Sequence, residues 1–157
     1  MPKTKVSELM IPINEYPVVH ENDTLKEAIK SLKKSKKHGH RSVLVLNELQ
    51  DAVGIMTEQD ILRALQHNMM CYNNAEILQM SYVKFYHKDP ILACTTTQVG
   101  QIMSPIIKAF VQVDDTTTTA IELMMKRKIT YIPVLEDKKV VGILRAIDLV
   151  DYIGELL

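Results

Sequence analysis

Val53-Gly-Ile-Met-Thr-Glu-Gln-Asp60-Ile reads against Val141-Gly-Ile-Leu-Arg-Ala-Ile-Asp148-Leu, and the likeness continues outward from both stretches. Upstream, Asp23-Thr24 followed by Ala28-Ile29 matches Asp115-Thr116 followed by Ala120-Ile121. Further upstream, Val6-Ser-Glu-Leu-Met-Ile-Pro12 matches Val99-Gly-Gln-Ile-Met-Ser-Pro105. The chain has 5 glycines, and two of them, Gly54 and Gly142, hold the same place in the two copies. One supersecondary unit has therefore been used twice, about residues 6–66 and 99–157, with a segment 67–98 between the copies.

Each copy carries the same order of signals. Short apolar runs at Val18-Val19 and Phe110-Val111 precede the polar clusters Glu21–Thr24 and Asp114–Thr117. Thr24-x-x-Glu27 is a capping-box pattern, and Leu25, Ala28, Ile29 and Leu32 then recur at helical spacing, as do Ala120, Ile121, Met124 and Met125. Two β-rich runs follow: Val43–Leu46 and Ala52–Met56 in the first copy, Tyr131–Leu135 and Val140–Leu144 in the second. A closing helix starts near Asp60 and near Asp148. The order strand, helix, strand, strand, helix, used twice, predicts a mixed α/β (α+β) fold of two similar halves that bury their apolar faces.

The whole composition sets limits on function. With 157 residues the chain can remove roughly 70% of its unfolded surface from water, enough for a proper core. It is 46% hydrophobic and 24% charged, which excludes a disordered chain, a coiled-coil rod and a collagen-like repeat. The 19 Lys and Arg balance 19 Asp and Glu, so bulk attraction to nucleic acid or anionic lipid has nothing to act on, and anion binding must be local. Cys71 and Cys94 are too few for a disulfide framework and lack CxxC spacing, which fits a reducing compartment. No run approaches the about 18 apolar residues of a membrane span, and the start Met1-Pro-Lys-Thr-Lys-Val-Ser-Glu has no apolar core of a signal peptide. The expected location is the cytoplasm.

With Gly54-Ile-Met-Thr-Glu-Gln-Asp60 placed where a strand gives way to a helix, the chain resembles a tandem pair of CBS domains, the cystathionine-β-synthase-type modules. The likeness rests on the G-x-x-T-x-x-D element and its counterpart at the matched position of the second copy, each preceded by V-x-x-x-M-x-P and D-T-x-x-x-A-I. The resemblance implies a pseudo-two-fold disc whose clefts between modules take AMP, ADP, ATP or S-adenosylmethionine as a regulatory ligand, with no required cofactor and no catalysis. It also implies a homodimer and an effector protein that reads the occupied state. In such families the Thr of the motif contacts phosphate and the Asp takes the ribose hydroxyls, roles that fall here on Thr57 and Asp60.

Elementary chemistry gives those two residues the same capacities. Free N–H groups in the first turn of a helix favour an anion beside Thr57, and an ionised carboxylate is acceptor-only, so Asp60 can receive both hydroxyls of a vicinal diol. Gly54 lets a ligand or a neighbouring backbone approach closely. Thr57-x-x-Asp60 is equally a capping box, which needs no ligand. In the second copy Asp148 persists while Arg145 replaces the threonine, so the guanidinium either reaches into its cleft as a phosphate fork or points away and leaves the site empty. One strong site is the expectation. An apolar adenine slot is expected from Pro17, Val18 and Leu44 in the first copy and from Phe110, Tyr131, Ile132 and Pro133 in the second, most of which serve equally as core.

The basic stretch Lys33-Lys34-Ser-Lys36-Lys37-His38-Gly-His40-Arg41 reads first as a solvated helix end, its lysines favourable against the helix dipole, with His40 and Arg41 as candidate phosphate contacts. A nucleic-acid surface is the weaker reading, since aromatics are not interleaved. No H-x-x-x-H or C-x-x-C spacing supports a metal site around His20, His38, His40, His67 and His87, and no G-x-S-x-G, P-loop or G-x-G-x-x-G element supports an enzyme. The 67–98 segment holds Tyr72, Tyr82, Phe85 and Tyr86, half of the aromatic residues, and Ile77, Leu78, Tyr82 and Phe85 predict a packing helix that ends before Pro90. The sequence leaves open a nucleotide sensor, a dimerisation scaffold with degenerate clefts, and an enzyme working through its histidines and cysteines.

Overall fold

The structure is a computed structural model and describes residues 4–35, 39–67 and 96–157. The expected helix around residues 77–85, both cysteines, His38 and His87 lie outside the described residues. The chain forms two compact units, one of residues 1–16, 48–53 and 105–157, the other of residues 17–47 and 54–104. The repeats are contiguous in sequence, but each compact unit is completed by the leading segment of the other repeat.

The unit built around the second repeat carries a four-stranded sheet in the order β1-β8-β7-β6, comprising β1 (Ile11–Pro12), β6 (Val111–Gln112), β7 (Tyr131–Glu136) and β8 (Lys139–Arg145). β6 runs parallel to β7, because the helix α4 (Thr117–Arg127) carries the chain back between them. β7 and β8 form an antiparallel hairpin closed at Glu136↔Lys139. Asp137 and Lys138, at φ 49° and 68°, both take the left-handed conformation that matches a two-residue turn to the strand twist. A short helix α1 (Val6–Leu9) precedes β1, and the closing helix α5 (Ala146–Leu156) follows β8. Their apolar faces meet in a core of Val6, Val111, Ala120, Met124, Ile132, Val134, Leu144 and Leu149.

α4 starts at Thr116, whose hydroxyl accepts from the Thr119 amide at 3.3 Å, and it stops at Lys128, whose left-handed backbone at φ 56° lets its amide reach Met124. The neighbouring Thr117 is fully buried, and its hydroxyl finds no hydrogen-bond partner among the described residues. Valine has the same shape without the desolvated hydroxyl, so Thr117→Val is expected to raise stability by about 1 kcal/mol in urea denaturation. A loss of that size would show that the hydroxyl is bonded after all.

The unit built around the first repeat carries a second four-stranded sheet, β2-β3-β4-β5, from β2 (Val18–His20), β3 (Ser42–Leu46), β4 (Ala52–Thr57) and β5 (Ser104–Pro105). β2 and β3 are parallel, with Val18 opposite Leu44, and are joined through the helix α2 (Leu25–Ser35). The capping box forms as the sequence predicts, with the Thr24 amide on Glu27 Oε2 at 3.0 Å and the Glu27 amide on Thr24 Oγ1 at 3.4 Å. Val43, Leu44, Val45 and Leu46 are all buried, the continuous apolar run of a strand covered on both faces. A helix α3 over 58–67 follows β4 directly.

The leading segments dock in the same way in both units. The amides of Val6 and Ser7 reach the carbonyls of Asp115 and Val113, and the Thr117 amide returns to Thr4. Correspondingly, the amides of Val99 and Gly100 reach Asp23 and Glu21, and the Leu25 amide returns to Thr97. β1 and β5 then lie at sheet edges, where Pro12 and Pro105 cost no ladder hydrogen bond. Both glycines of the repeated motif face these edge strands. A Cβ on Gly142 would lie 2.7 Å from the Ile11 carbonyl oxygen and 2.7 Å from Met10 Sδ; one on Gly54 would lie 2.3 Å from Met103 Sδ and 3.1 Å from the Ser104 oxygen. Gly54 and Gly142 are therefore fixed by the approach of a neighbouring strand, the second of the two uses the sequence left open.

Candidate functional site

Asp60 stands in the first turn of α3, and although charged it is only 4% exposed. A buried carboxylate needs hydrogen-bond donors, and four surround it. Thr57 supplies two, donating to Oδ2 from its amide at 2.9 Å and from its hydroxyl at 3.2 Å. Ser104 Oγ donates to Oδ1 at 3.1 Å, and Arg63 Nη1 donates to the same oxygen at 3.2 Å. The Thr57 hydroxyl in turn accepts from the Asp60 amide at 3.4 Å, so the capping box predicted from Thr57-x-x-Asp60 is present.

This carboxylate opens on a cleft of about 480 Å³ lined by Asp60, Arg63, Ala64, His67, Thr97, Gln101 and Ile102. The volume suits a small-molecule ligand. Its walls follow from two local facts. Residues 60, 63, 64 and 67 fall at i, i+3, i+4 and i+7, which puts them on one face of α3. The opposite wall, Thr97 to Ile102, is the leading segment of the second repeat, held by the bonds of its backbone to Asp23 and Glu21. The cleft thus offers a carboxylate, a guanidinium, an imidazole and amide and hydroxyl groups beside the apolar Ala64 and Ile102.

The equivalent position in the other unit is built differently. Arg145 Nε donates to Asp148 Oδ2 at 2.9 Å and Nη2 to Oδ1 at 2.7 Å, a bidentate pair whose side chains are each 17% exposed. The hydrogen bond to Asp148 is the main reason that the pKa of Arg145 is raised; the charge of Asp148 and the nearby Tyr16 and Tyr131 add to it, against the opposing effect of burial. Arg145 thus turns onto the aspartate of its own motif and occupies both carboxylate oxygens.

The remaining sequence candidates divide by burial. Leu44 and Ile132 are fully buried and Pro133 is buried, so they are core residues, while Val18 at 43% and Phe110 at 38% are exposed. Pro17 is half-buried and its carbonyl accepts from the Leu44 amide, Tyr131 is half-buried, His40 is buried and Arg41 is exposed. Of all the residues expected to touch a ligand, Asp60 is the one that lines the cleft. Arg63 and His67 were legible in principle, by helical spacing from Asp60. Thr97, Gln101, Ile102 and Ser104 needed knowledge of which segment completes which unit.

Among the described residues no three His, Cys, Asp or Glu side chains gather as a metal site, and no helix is long and apolar enough to cross a membrane.

The description of the CBS domain family matches residues 6–67 and again 99–155. The chain belongs to the CBS-domain family. No curated protein matches the chain closely enough to count as a relative. Solved structures share the fold of this CBS-domain protein across most of their length. One is CBSX2, solved in complex with AMP, with a TM-score of 0.68, 23% identity and 97% of each chain covered. Another is the CBS domain pair of protein MJ0100, solved with 5-methylthioadenosine and S-adenosyl-L-methionine, with a TM-score of 0.69, 23% identity, and 99% of this chain and 100% of that one covered. A conserved protein of Pyrococcus horikoshii gives a TM-score of 0.67 at 18% identity, covering 96% of this chain and 92% of that one. The mixed α/β architecture expected from the repeat is that of a CBS pair.

Proposed function

We propose that this CBS pair is a regulatory module that binds an adenine nucleotide at Asp60 and passes its occupancy to a partner protein. The observation that carries the reading is a buried carboxylate facing a ligand-sized cleft at the start of α3. There Asp60 accepts the two ribose hydroxyls, and Thr57 holds the carboxylate in place from below. Related folds solved with AMP, and with 5-methylthioadenosine and S-adenosyl-L-methionine, support the adenine class. No catalytic step is assigned to the chain. Its output is a population shift: ligand stabilises one conformation, and an effector binds that conformation better.

Occupancy begins at Asp60, because the one charged donor among its four, Arg63, is 69% exposed and easily displaced, whereas Asp148 is held by a bidentate Arg145 that is only 17% exposed. The closed Asp148 is also the observation that favours the second reading, a scaffold whose clefts stay empty. A cytoplasmic homodimer is part of the proposal. The closing helix α5 exposes Ile147, Val150, Ile153 and Leu156, which a second copy would cover, and sedimentation equilibrium reads the dimer directly.

A thermal-shift panel tests the sensor against the scaffold. AMP, ADP, ATP and S-adenosylmethionine are added separately to nucleotide-free protein, with guanine nucleotides as controls. A ligand at about 100 times its dissociation constant adds roughly 2.7 kcal/mol, which moves the midpoint by several degrees. The sensor requires a shift confined to adenine compounds. No shift with any of them would favour the scaffold, and equal shifts with guanine compounds would overturn the adenine preference.

A further inference from the structure

The Asp60 carboxylate has no acceptor capacity to spare: it has about four lone-pair sites, and four donors occupy them. A ribose diol needs two of those sites, so it can bind there only if the two donors on Oδ1, Ser104 and Arg63, give way. The Thr57 amide is fixed by the start of α3, and the Thr57 hydroxyl is engaged at both ends of its capping box. Ser104 Oγ sits on a half-buried residue at the edge strand. Arg63 is different, with a side chain 69% exposed that reaches Asp60 through one nitrogen at 3.2 Å. It is the donor most easily released.

Releasing it leaves a cation beside the cleft and puts a condition on the ligand. We infer that Arg63 selects anion-bearing ribosides by exchanging partners: the ribose hydroxyls take the Oδ1 sites that Arg63 and the Ser104 hydroxyl give up, and the guanidinium moves onto the ligand's phosphate. This inference rests on the Asp60 reading above. Both residues lie on the cleft-facing side of α3, with His67 one turn beyond Arg63, so a phosphate attached to a ribose held at Asp60 is within reach of the released fork. A neutral nucleoside takes the same acceptor but leaves Arg63 without its carboxylate. S-adenosylmethionine puts a sulfonium where AMP has its phosphate, and its own carboxylate lies at the far end of the methionyl chain. Arg63 regains a charged partner only when the ligand carries an anion beside its diol.

Isothermal titration calorimetry on the nucleotide-free full chain with AMP, adenosine and S-adenosylmethionine tests this, using Arg63→Gln and Arg63→Lys beside the natural protein. The natural protein should prefer AMP to adenosine by roughly 10- to 100-fold, the worth of one charge-assisted bond. Arg63→Gln should bring the two ligands to near parity, and it should bind adenosine more tightly than the natural protein does because Asp60 no longer has to give up a charged partner. Arg63→Lys should keep the preference for AMP. Equal affinity for AMP and adenosine in the natural protein, or a preference that survives Arg63→Gln, would overturn the role of Arg63 while leaving the adenine site standing. Failure of all three ligands to bind the natural protein would overturn the site itself.

Discussion

Gly142→Ala is expected to destabilise the protein by about 1–3 kcal/mol, toward the top of that range, with the loss read as a lower urea midpoint. The added methyl has nowhere to go. It would sit 2.7 Å from the Ile11 carbonyl oxygen, a backbone atom in the strand paired at Pro12↔Gly142 and Ile11↔Ile143, so β1 must move away from β8. Gly54→Ala is the milder counterpart. Its clash at 2.3 Å is with Met103 Sδ, the end of a flexible side chain, while the Ser104 backbone oxygen is at 3.1 Å. Gly154→Ala, in α5 with nothing within 4 Å of the new methyl, should gain up to about 1 kcal/mol of helix propensity. That order, with Gly142→Ala worst and Gly154→Ala stabilising, tests the docking of the leading segment. A Gly142→Ala variant as stable as the natural protein would show that β1 does not lie against β8.

Asp60→Ala is expected to lower affinity for AMP by about 100-fold or more, because both ribose hydroxyls lose an ionised acceptor worth about 1.5–3 kcal/mol each. The same change removes the acceptor shared by Thr57 and Ser104, so a stability loss of about 1–3 kcal/mol accompanies it. Asp60→Asn separates the two effects. The amide keeps the shape and one acceptor oxygen, preserving more of the capping bonds, yet it lacks the charge and half the acceptor capacity that a diol requires. Folded Asp60→Asn protein with unchanged AMP affinity would remove Asp60 from the site.

The repeat made most of the fold legible because its signals are local. Strands at 43–46 and 131–135 announce themselves by β-rich runs, and the helices after Thr24 and Thr116 by their spacing, the first also by its capping box. The two-residue strands Ile11–Pro12 and Ser104–Pro105 have no periodicity to detect. Their role depends on contacts distant in sequence, Met10 over Gly142 and Met103 over Gly54, so two motifs visible separately in the sequence are in fact partners across the repeats.

In the candidate site, the sequence names the buried carboxylate and its capping partner but not the residues that line the cleft beside them. Asp60 and Thr57 were readable from the motif, whereas the apolar residues chosen beside them were selected by type, and type does not separate a base contact from core. Leu44 and Ile132 proved to be fully buried. Arg145 could not be oriented from sequence, since a long side chain at a helix start reaches inward or outward equally well. In the folded chain it turns inward and bonds to Asp148.

Isothermal titration of AMP into nucleotide-free full-length chain, with folded Asp60→Asn protein alongside, asks most directly whether this CBS pair is an adenine-nucleotide sensor. The expected result is saturable binding to the natural protein that the single substitution removes. No saturable heat with AMP, ADP, ATP or S-adenosylmethionine, or a titration identical in the variant, would contradict it.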